Sequence, residues 1–148
     1  ERLNIKIGDS YRYMATTRRQ FDLILVDGFD AEGRAGRLHT LPFYRLCRRR
    51  LNDGGMMVTN LLSRRTRAKA DADPIRRAFD NCVLELPPCD ANTVVVARVG
   101  APIRLTFDKL RASARRFRSR TGLNLLPTIA RLAENHDETG ARIILQSD

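Results

Sequence analysis

The chain has 148 residues, of which 43% are hydrophobic and 30% charged, as is ordinary for a soluble globular protein with one buried core. No segment is long and apolar enough to cross a bilayer, which argues against a membrane partner. The three cysteines are few, odd in number and not at metal-binding spacing, so we expect a reduced, cytoplasmic protein without disulfides.

The formal net charge is +10. Residues 1–100 hold 18 basic against 12 acidic residues, and residues 101–148 hold 9 against 5, so the excess is not confined to a basic tail. Such a charge is compatible with a nucleic-acid partner, but no known nucleic-acid-reading motif accompanies it. A nucleic-acid partner is therefore possible on charge but not favoured.

The first half of the chain alternates between strand and helix patterns. Alternating apolar residues predict a strand over residues 3–7, and Ser10 is a candidate cap for the short helix that follows. The continuous apolar run at 23–26 is typical of a strand covered on both faces. Thr40 can cap an amphipathic helix that ends before Asn52-Asp53-Gly54-Gly55, and the next strand covers residues 56–62.

The second half continues the pattern and then becomes helical. We expect a helix from Pro74 to Phe79, strands at 82–86 and 93–99 close enough to form an antiparallel hairpin, and helices after Pro102. Thr106 and Gly122 would begin and end the first of these helices. Alternating strands and helices predict an α/β fold with a mainly parallel sheet.

Two carboxylates follow the strand at 23–26. Asp27 and Asp30 are separated by a turn that contains Gly28, and open α/β sheets bind ligands at the carboxyl ends of their strands. The pair is a candidate site for a cationic or hydroxylated ligand. The alternative is that both acids only cap the turn and the following helix.

The order of these pieces resembles the C-terminal half of the catalytic domain of spermidine synthases, which have a methyltransferase-like Rossmann fold. The resemblance covers about residues 2–100. It rests on these residues: Gly8-Asp9, Asp27-x-x-Asp30, Gly33, Ala35, Leu38, Phe43-Tyr44 and Leu51-x-x-Gly54-Gly55. It implies that residues 1–100 are the C-terminal half of the Rossmann domain, and that residues 101–148 are a helical extension of it.

The resemblance also implies an activity, the transfer of an aminopropyl group from decarboxylated S-adenosylmethionine to a polyamine. In this reading Asp9 contacts the adenine side of the donor, and Gly8 and Gly28 belong to the donor site. Asp27 would assist deprotonation of the attacking amine, while Asp30 and Asn60 would hold the polyamine. The reaction needs no prosthetic group or metal; S-adenosylmethionine is a possible alternative ligand.

Three positions depart from the family pattern. Arg34 adds positive charge beside a cation site, Asn60 stands where a glutamine is common, and Leu86 stands where a tyrosine is common. Two other readings therefore stay open. One is a non-catalytic or methyltransferase-type relative that binds an adenosyl ligand, and the other is a basic nucleic-acid-binding module.

The chain matches only the later part of the family's fold. The glycine-rich turn that cradles the donor, the acidic residue after the second strand and the N-terminal β domain have no counterpart in the sequence. We therefore expect this chain alone to be inactive. The strand at 3–7 would lack its neighbours, so we expect a homo-oligomer or binding to the missing N-terminal half.

Overall fold

The computed structural model describes residues 3–29, 36–62, 71–86 and 91–134, and the backbone of residues 142–145. Five helices and six strands lie within this part of the chain. The helices are α1 (Ser10–Thr16), α2 (Leu41–Arg49), α3 (Asp73–Ala78), α4 (Phe107–Thr121) and α5 (Leu126–Glu134). The strands are β1 (Phe21–Val26), β2 (Leu51–Leu62), β3 (Val83–Glu85), β4 (Asn92–Arg98), β5 (Ile103–Thr106) and β6 (Arg142–Leu145).

The main sheet has four strands in the order β1-β2-β4-β3. β1 and β2 are parallel, whereas β4 is antiparallel to both β2 and β3. The α/β class and the β3–β4 hairpin are thus confirmed. The prediction of a mainly parallel sheet is wrong for the described residues, since one of its three strand pairs is parallel. The short connection between β3 and β4 forces an antiparallel return.

One face of this sheet is covered by α2 and α3. Alternate β2 residues Met57, Thr59 and Leu61 are buried there and pack with Tyr44 of α2 and Ile75 of α3. The other face is covered at the β3 side, where Leu84 and Leu86 pack against a cluster from α4 and α5. The members of this second cluster are Phe107, Ala114, Ile129 and Leu132.

The β1 side of that second face is open. Leu23 is 53% exposed and Leu25 is 70% exposed. The expectation that β1 is covered on both faces is therefore wrong within the described residues. A continuous apolar run shows that a strand can be buried on both sides, but it does not supply the second layer.

Residues 3–7 were predicted to form a strand and do not. They lie outside any strand, and Leu3, Ile5 and Ile7 are exposed. A strand requires hydrogen bonds to a neighbour, and β1–β4 offer none to this segment in the described structure. The residues alternate between apolar and polar as predicted, but the described part of the chain provides no neighbouring strand for them to pair with.

Two of the predicted helix caps need correction. Thr40 occupies the N-cap position of α2, but its hydroxyl donates to the Arg37 carbonyl oxygen and makes no cap hydrogen bond to the helix. The side chain of Asp9, not Ser10, caps α1, because its Oδ1 accepts a hydrogen bond from the Arg12 N–H at 2.8 Å. Thr106 caps α4 as predicted, and Gly122 ends it with a left-handed φ of 79°. No helix in the described ranges has the length and apolar character needed to cross a membrane.

The region after Pro102 is not purely helical. β5 precedes α4 and pairs antiparallel with β6, and neither strand was predicted. Both are four residues long, which gives little periodic signal. The helices of this region, α4 and α5, are confirmed.

Candidate functional site

Strand register brings Asp27 and Asn60 together. Val26 of β1 aligns with Thr59 of β2. The next residue along the chain is Asp27, just after β1, in the first case and Asn60, within β2, in the second. Thr59 faces the core beneath the sheet, so Asn60 projects from the opposite face. Asp27, directly after β1, and Asn60, near the carboxyl end of β2, therefore meet where such sheets bind ligands.

The side-chain amide of Asn60 contacts two other side chains. Its Nδ2 donates to Oδ1 of Asp27 at 3.3 Å and to Oδ1 of Asn92 at 3.1 Å. Its own Oδ1 is buried and has no hydrogen-bond donor among the described residues. The resulting group, Asp27-Asn60-Asn92, presents an exposed carboxylate beside an amide acceptor that lacks a donor.

Asn92 is the member that sequence reasoning missed. It begins β4 and aligns with Leu62, two residues beyond the position opposite Asn60. Its approach depends on the antiparallel register between β2 and β4. A local sequence pattern does not carry that register, so no signal in the sequence indicated Asn92.

A second Asp–Asn pair spans the same two strands at their other end. Asn52 Nδ2 donates to Asp22 Oδ1 at 2.7 Å. This pair has the same residue types and the same cross-strand contact, but it lies at the amino end of β1. An Asp–Asn hydrogen bond between β1 and β2 is therefore not in itself a site. The Asp22–Asn52 pair is a matched control for substitutions at Asp27 and Asn60.

Gly8 and Asp9 line a separate groove of about 390 Å³, together with Lys6, Tyr13 and Arg19 among others. Neither Asp27 nor Asn60 is among the groove's lining residues. One oxygen of Asp9 is engaged as the cap of α1. A methyl group added at Gly8 would meet nothing within 4 Å, so packing does not require glycine there.

Gly28 lies directly after Asp27 and is closely packed. A Cβ at this position would lie 2.8 Å from Cδ1 of Leu38. Glycine therefore lets the turn after β1 approach the 3₁₀ turn Gly36–Leu38. Asp30, together with Gly33 and Arg34, lies outside the described residues.

Buried groups near the core are poor reaction partners at neutral pH. Burial raises the pKa of the Cys47 thiol to about 12, and burial also raises the pKa values of Cys82 and Tyr44. The Tyr44 hydroxyl lies 2.8 Å from Nδ1 of the half-buried His39. The His39 ring therefore packs against this tyrosine in an edge-on contact.

The arrangement suits a ligand that carries N–H groups and positive charge. A carboxylate can bind an ammonium and accept a proton from it, and an amide oxygen can accept a second N–H. Within the described ranges, no three histidine, cysteine, aspartate or glutamate side chains are grouped so that they could hold a metal ion.

Comparison with known proteins gives a consistent result. Residues 1–77 match the spermine/spermidine synthase domain family. The chain is 33% identical over 141 residues to a protein of Neisseria meningitidis named polyamine aminopropyltransferase. The aligned region covers 95% of this chain and 54% of that protein. The chain is 30% identical over 138 residues to a protein of the same name from Chromobacterium violaceum, covering 93% of this chain and 53% of that protein.

A shorter segment is more similar still. Polyamine aminopropyltransferase 1 of Pseudomonas aeruginosa is 47% identical over 58 residues, which are 39% of this chain and 20% of that protein. The chain spans about half the length of the first two relatives. Gly8, Asp9, Asp27, Gly28 and Asn60 all lie within the range matched by the family.

Proposed function

Because the chain belongs to the spermine/spermidine synthase family, we propose that it forms part of a polyamine aminopropyltransferase, with Asp27 and Asn60 on the amine side of the site. The resemblance read from the sequence is confirmed at the level of the family and of its α/β, Rossmann-like fold. The reaction, its substrates and the roles of individual residues belong to the proposal.

The observation that carries the proposal is the hydrogen bond from Asn60 to Asp27. It links the ends of two parallel strands and leaves Asp27 exposed to a ligand. The Asn60 amide holds the carboxylate through one N–H and Asn92 through the other. A polyamine ammonium placed at Asp27 would provide the positive charge that this carboxylate lacks within the described residues.

The chemistry is a displacement at carbon. The free amine nitrogen attacks the carbon attached to the sulfonium of decarboxylated S-adenosylmethionine, a C–N bond forms, and the C–S bond breaks. The bonding electrons of the C–S bond remain on sulfur, so methylthioadenosine leaves as a neutral thioether. The proton lost by the amine passes to Asp27, directly or through water.

Positioning supplies much of the rate in such a displacement, because nucleophile, carbon and leaving sulfur must align. We assign the second amine contact to Asp30, and donor contacts to Gly8, Asp9 and Gly28. Gly8 and Asp9 line a groove that offers a surface for part of the donor. About half the length of the relatives lies beyond the matched region, so we expect the 148-residue chain alone to be inactive.

Two measurements test the proposal on the longest natural protein that contains this chain. Incubation with putrescine and decarboxylated S-adenosylmethionine should yield methylthioadenosine and spermidine. Calorimetry should detect methylthioadenosine binding. Binding without transfer would indicate an adenosyl-binding relative of another activity, and the absence of both would contradict the proposal.

A further inference from the structure

A large positive charge lies on one helix. Residues 107–121, which form α4, hold six basic residues and one acidic residue, a net charge of +5. Residues 33–52 also hold six basic residues and no acidic one, but part of that segment lies outside the described residues and its Arg48 is paired with Asp80. All the basic residues of α4 lie within the described part of the chain.

The basic side chains form two rows along α4. Arg111, Arg115 and Arg118 follow helical spacing on one side. Lys109, Arg116 and Arg120 follow it on the other side. Five of these six residues are exposed, and Arg111 is half-buried.

Few of these charges are neutralised by the residues that the structure describes. Arg111 pairs with Asp108, and Arg116 donates to the Ser113 hydroxyl. No ion pair joins Lys109, Arg115, Arg118 or Arg120 to any described residue. Elsewhere the arrangement differs, since Arg48, Arg76 and Arg77 each have a carboxylate partner.

Helix stability does not explain the pattern. Arg118 and Arg120 lie in the last turn, where positive charge is favourable. Lys109 lies in the first turn, where positive charge is unfavourable. The pairs Arg111/Arg115 and Arg116/Arg120 also place like charges four residues apart, which destabilises a helix. A polyanion would relieve both effects.

We propose that the outer face of α4 binds the phosphodiester backbone of a nucleic acid. Lys109 to Arg120 spans about 16 Å of helix, and that length of duplex carries roughly ten phosphates. Arginine can bond a phosphate through two N–H groups at once. This function is separate from the proposed transfer reaction and does not depend on it.

An anionic membrane is the competing partner, and the packing of α4 argues against it. Phe107 and Ala114 of α4 are buried against Ile129 and Leu132, so the apolar side of the helix is already used in the core. Phe117, which is 41% exposed, is the main apolar side chain of α4 left for insertion. Interfacial helices instead bury a continuous apolar face in the lipid.

The surface also lies away from the proposed amine site. α4 packs at the β3 edge of the sheet, and Asp27 follows β1 at the other edge. Three strand spacings separate those edges by about 14 Å, which exceeds the screening length of about 8 Å at physiological salt. Positive charge on α4 is therefore compatible with a site for a cationic substrate.

The test is fluorescence anisotropy of the 148-residue chain with short labelled duplex DNA, and with duplex RNA of the same sequence. The variant is the triple Arg115→Gln, Arg118→Gln and Arg120→Gln. The matched control removes the same charge from other exposed arginines by Arg18→Gln, Arg45→Gln and Arg49→Gln. Glutamine retains helix propensity, and circular dichroism checks that α4 persists.

We expect the α4 triple to weaken binding to the two duplexes by about tenfold or more at moderate salt, and the control triple by less than about threefold. The slope of log affinity against log salt should fall by about 3 for the α4 triple. If the α4 triple loses helix, the single variants Arg115→Gln and Lys109→Gln replace it. Equal losses in the two triples, or binding to phosphatidylserine vesicles but to neither duplex, would overturn the proposal.

Discussion

At the scale of single residues, one side-chain amide connects the proposed amine site. Asn60 donates to Asp27 and to Asn92, so it fixes the orientation of a carboxylate that would otherwise turn freely at the end of β1. Charge-assisted hydrogen bonds of this kind are stronger than neutral ones. The pair therefore favours one orientation of the Asp27 oxygens.

Removing this amide should weaken catalysis more than stability. We expect Asn60→Ala to lower kcat/KM for the amine by about tenfold, the value of one lost hydrogen bond to a charged group. Asn92→Ala should have a smaller effect, since Asn92 acts only through Asn60. Steady-state kinetics of the proposed reaction, on the longest natural protein that contains this chain, measures both.

Asn52→Ala is the matched control, because Asn52 makes the same type of bond to Asp22 at the opposite end of the strands. It should leave kcat/KM unchanged. An equal loss in Asn60→Ala and Asn52→Ala would show that the two pairs merely join β1 to β2.

The site could be predicted from the sequence only in part. Asp27 directly follows an apolar run and Asn60 lies near the end of the next predicted strand, and parallel neighbours end at the same edge, so their proximity follows from local patterns. Asn92 depends on the register of an antiparallel partner, which no local pattern specifies. Asp9 stays a predicted donor contact, while its observed role as the cap of α1 had been predicted for Ser10.

At the scale of secondary-structure elements, the same distinction holds. α2, α4 and α5 have strong helical periodicity, α3 has a proline in its first turn, and all four were predicted. Residues 3–7 have equally clear alternation but form no strand, because strand formation depends on a neighbour. β5 and β6 were missed, since two four-residue strands depend on each other rather than on their own sequence.

An ion pair ties α2 to the turn after α3. Arg48 donates to Oδ2 of Asp80 and, at 2.8 Å, to the carbonyl oxygen of Ala78. The hydrogen bond from Arg48 lowers the pKa of Asp80. The Asp80 side chain is 67% exposed, so solvent screens the pair, and we expect it to contribute less than about 1 kcal/mol.

The lowered pKa fixes the direction of the pH dependence. The stabilisation is present above the unfolded-state pKa of about 3.9 and is lost as the pH falls through the folded-state pKa. Asp80→Asn should therefore be less stable than the wild type at neutral pH, and equally stable only at a pH below the lowered pKa of Asp80 in the folded protein. Asparagine tolerates the positive φ of 51° at this position.

Urea unfolding at several pH values provides the measurement. The difference in free energy of unfolding between wild type and Asp80→Asn should shrink steadily with acidification. A difference that stays constant down to low pH would mean that the carboxylate charge plays no part in it.

At the scale of the whole molecule, the open face and edge of β1 have a consequence for assembly. β1 is at the end of the strand order, and Leu25 on its open face is 70% exposed. Exposed apolar strand edges pair with other chains. We therefore expect the 148-residue chain to self-associate, and more strongly as salt screens its net charge of +10.

Sedimentation velocity tests this expectation. Leu25→Lys should shift the chain toward the monomer, whereas Leu123→Lys, a matched change at another exposed leucine, should not. A single monomeric species for the unmodified chain at moderate salt, or an equal shift in the two variants, would contradict this expectation.

The central claim concerns Asp27, and the comparison of Asp27→Asn with Asp22→Asn tests it most directly. Both residues lie on or beside β1, both accept a hydrogen bond from an asparagine of β2, and both are exposed, so the two changes differ in which end of the sheet they alter. In the full-length enzyme, Asp27→Asn should lower turnover of the amine by about 10²–10⁴-fold, as for loss of a general base, while Asp22→Asn should turn over like the wild type. Wild-type turnover in Asp27→Asn, or an equal loss in both variants, would contradict the assignment of this carboxylate to the reaction.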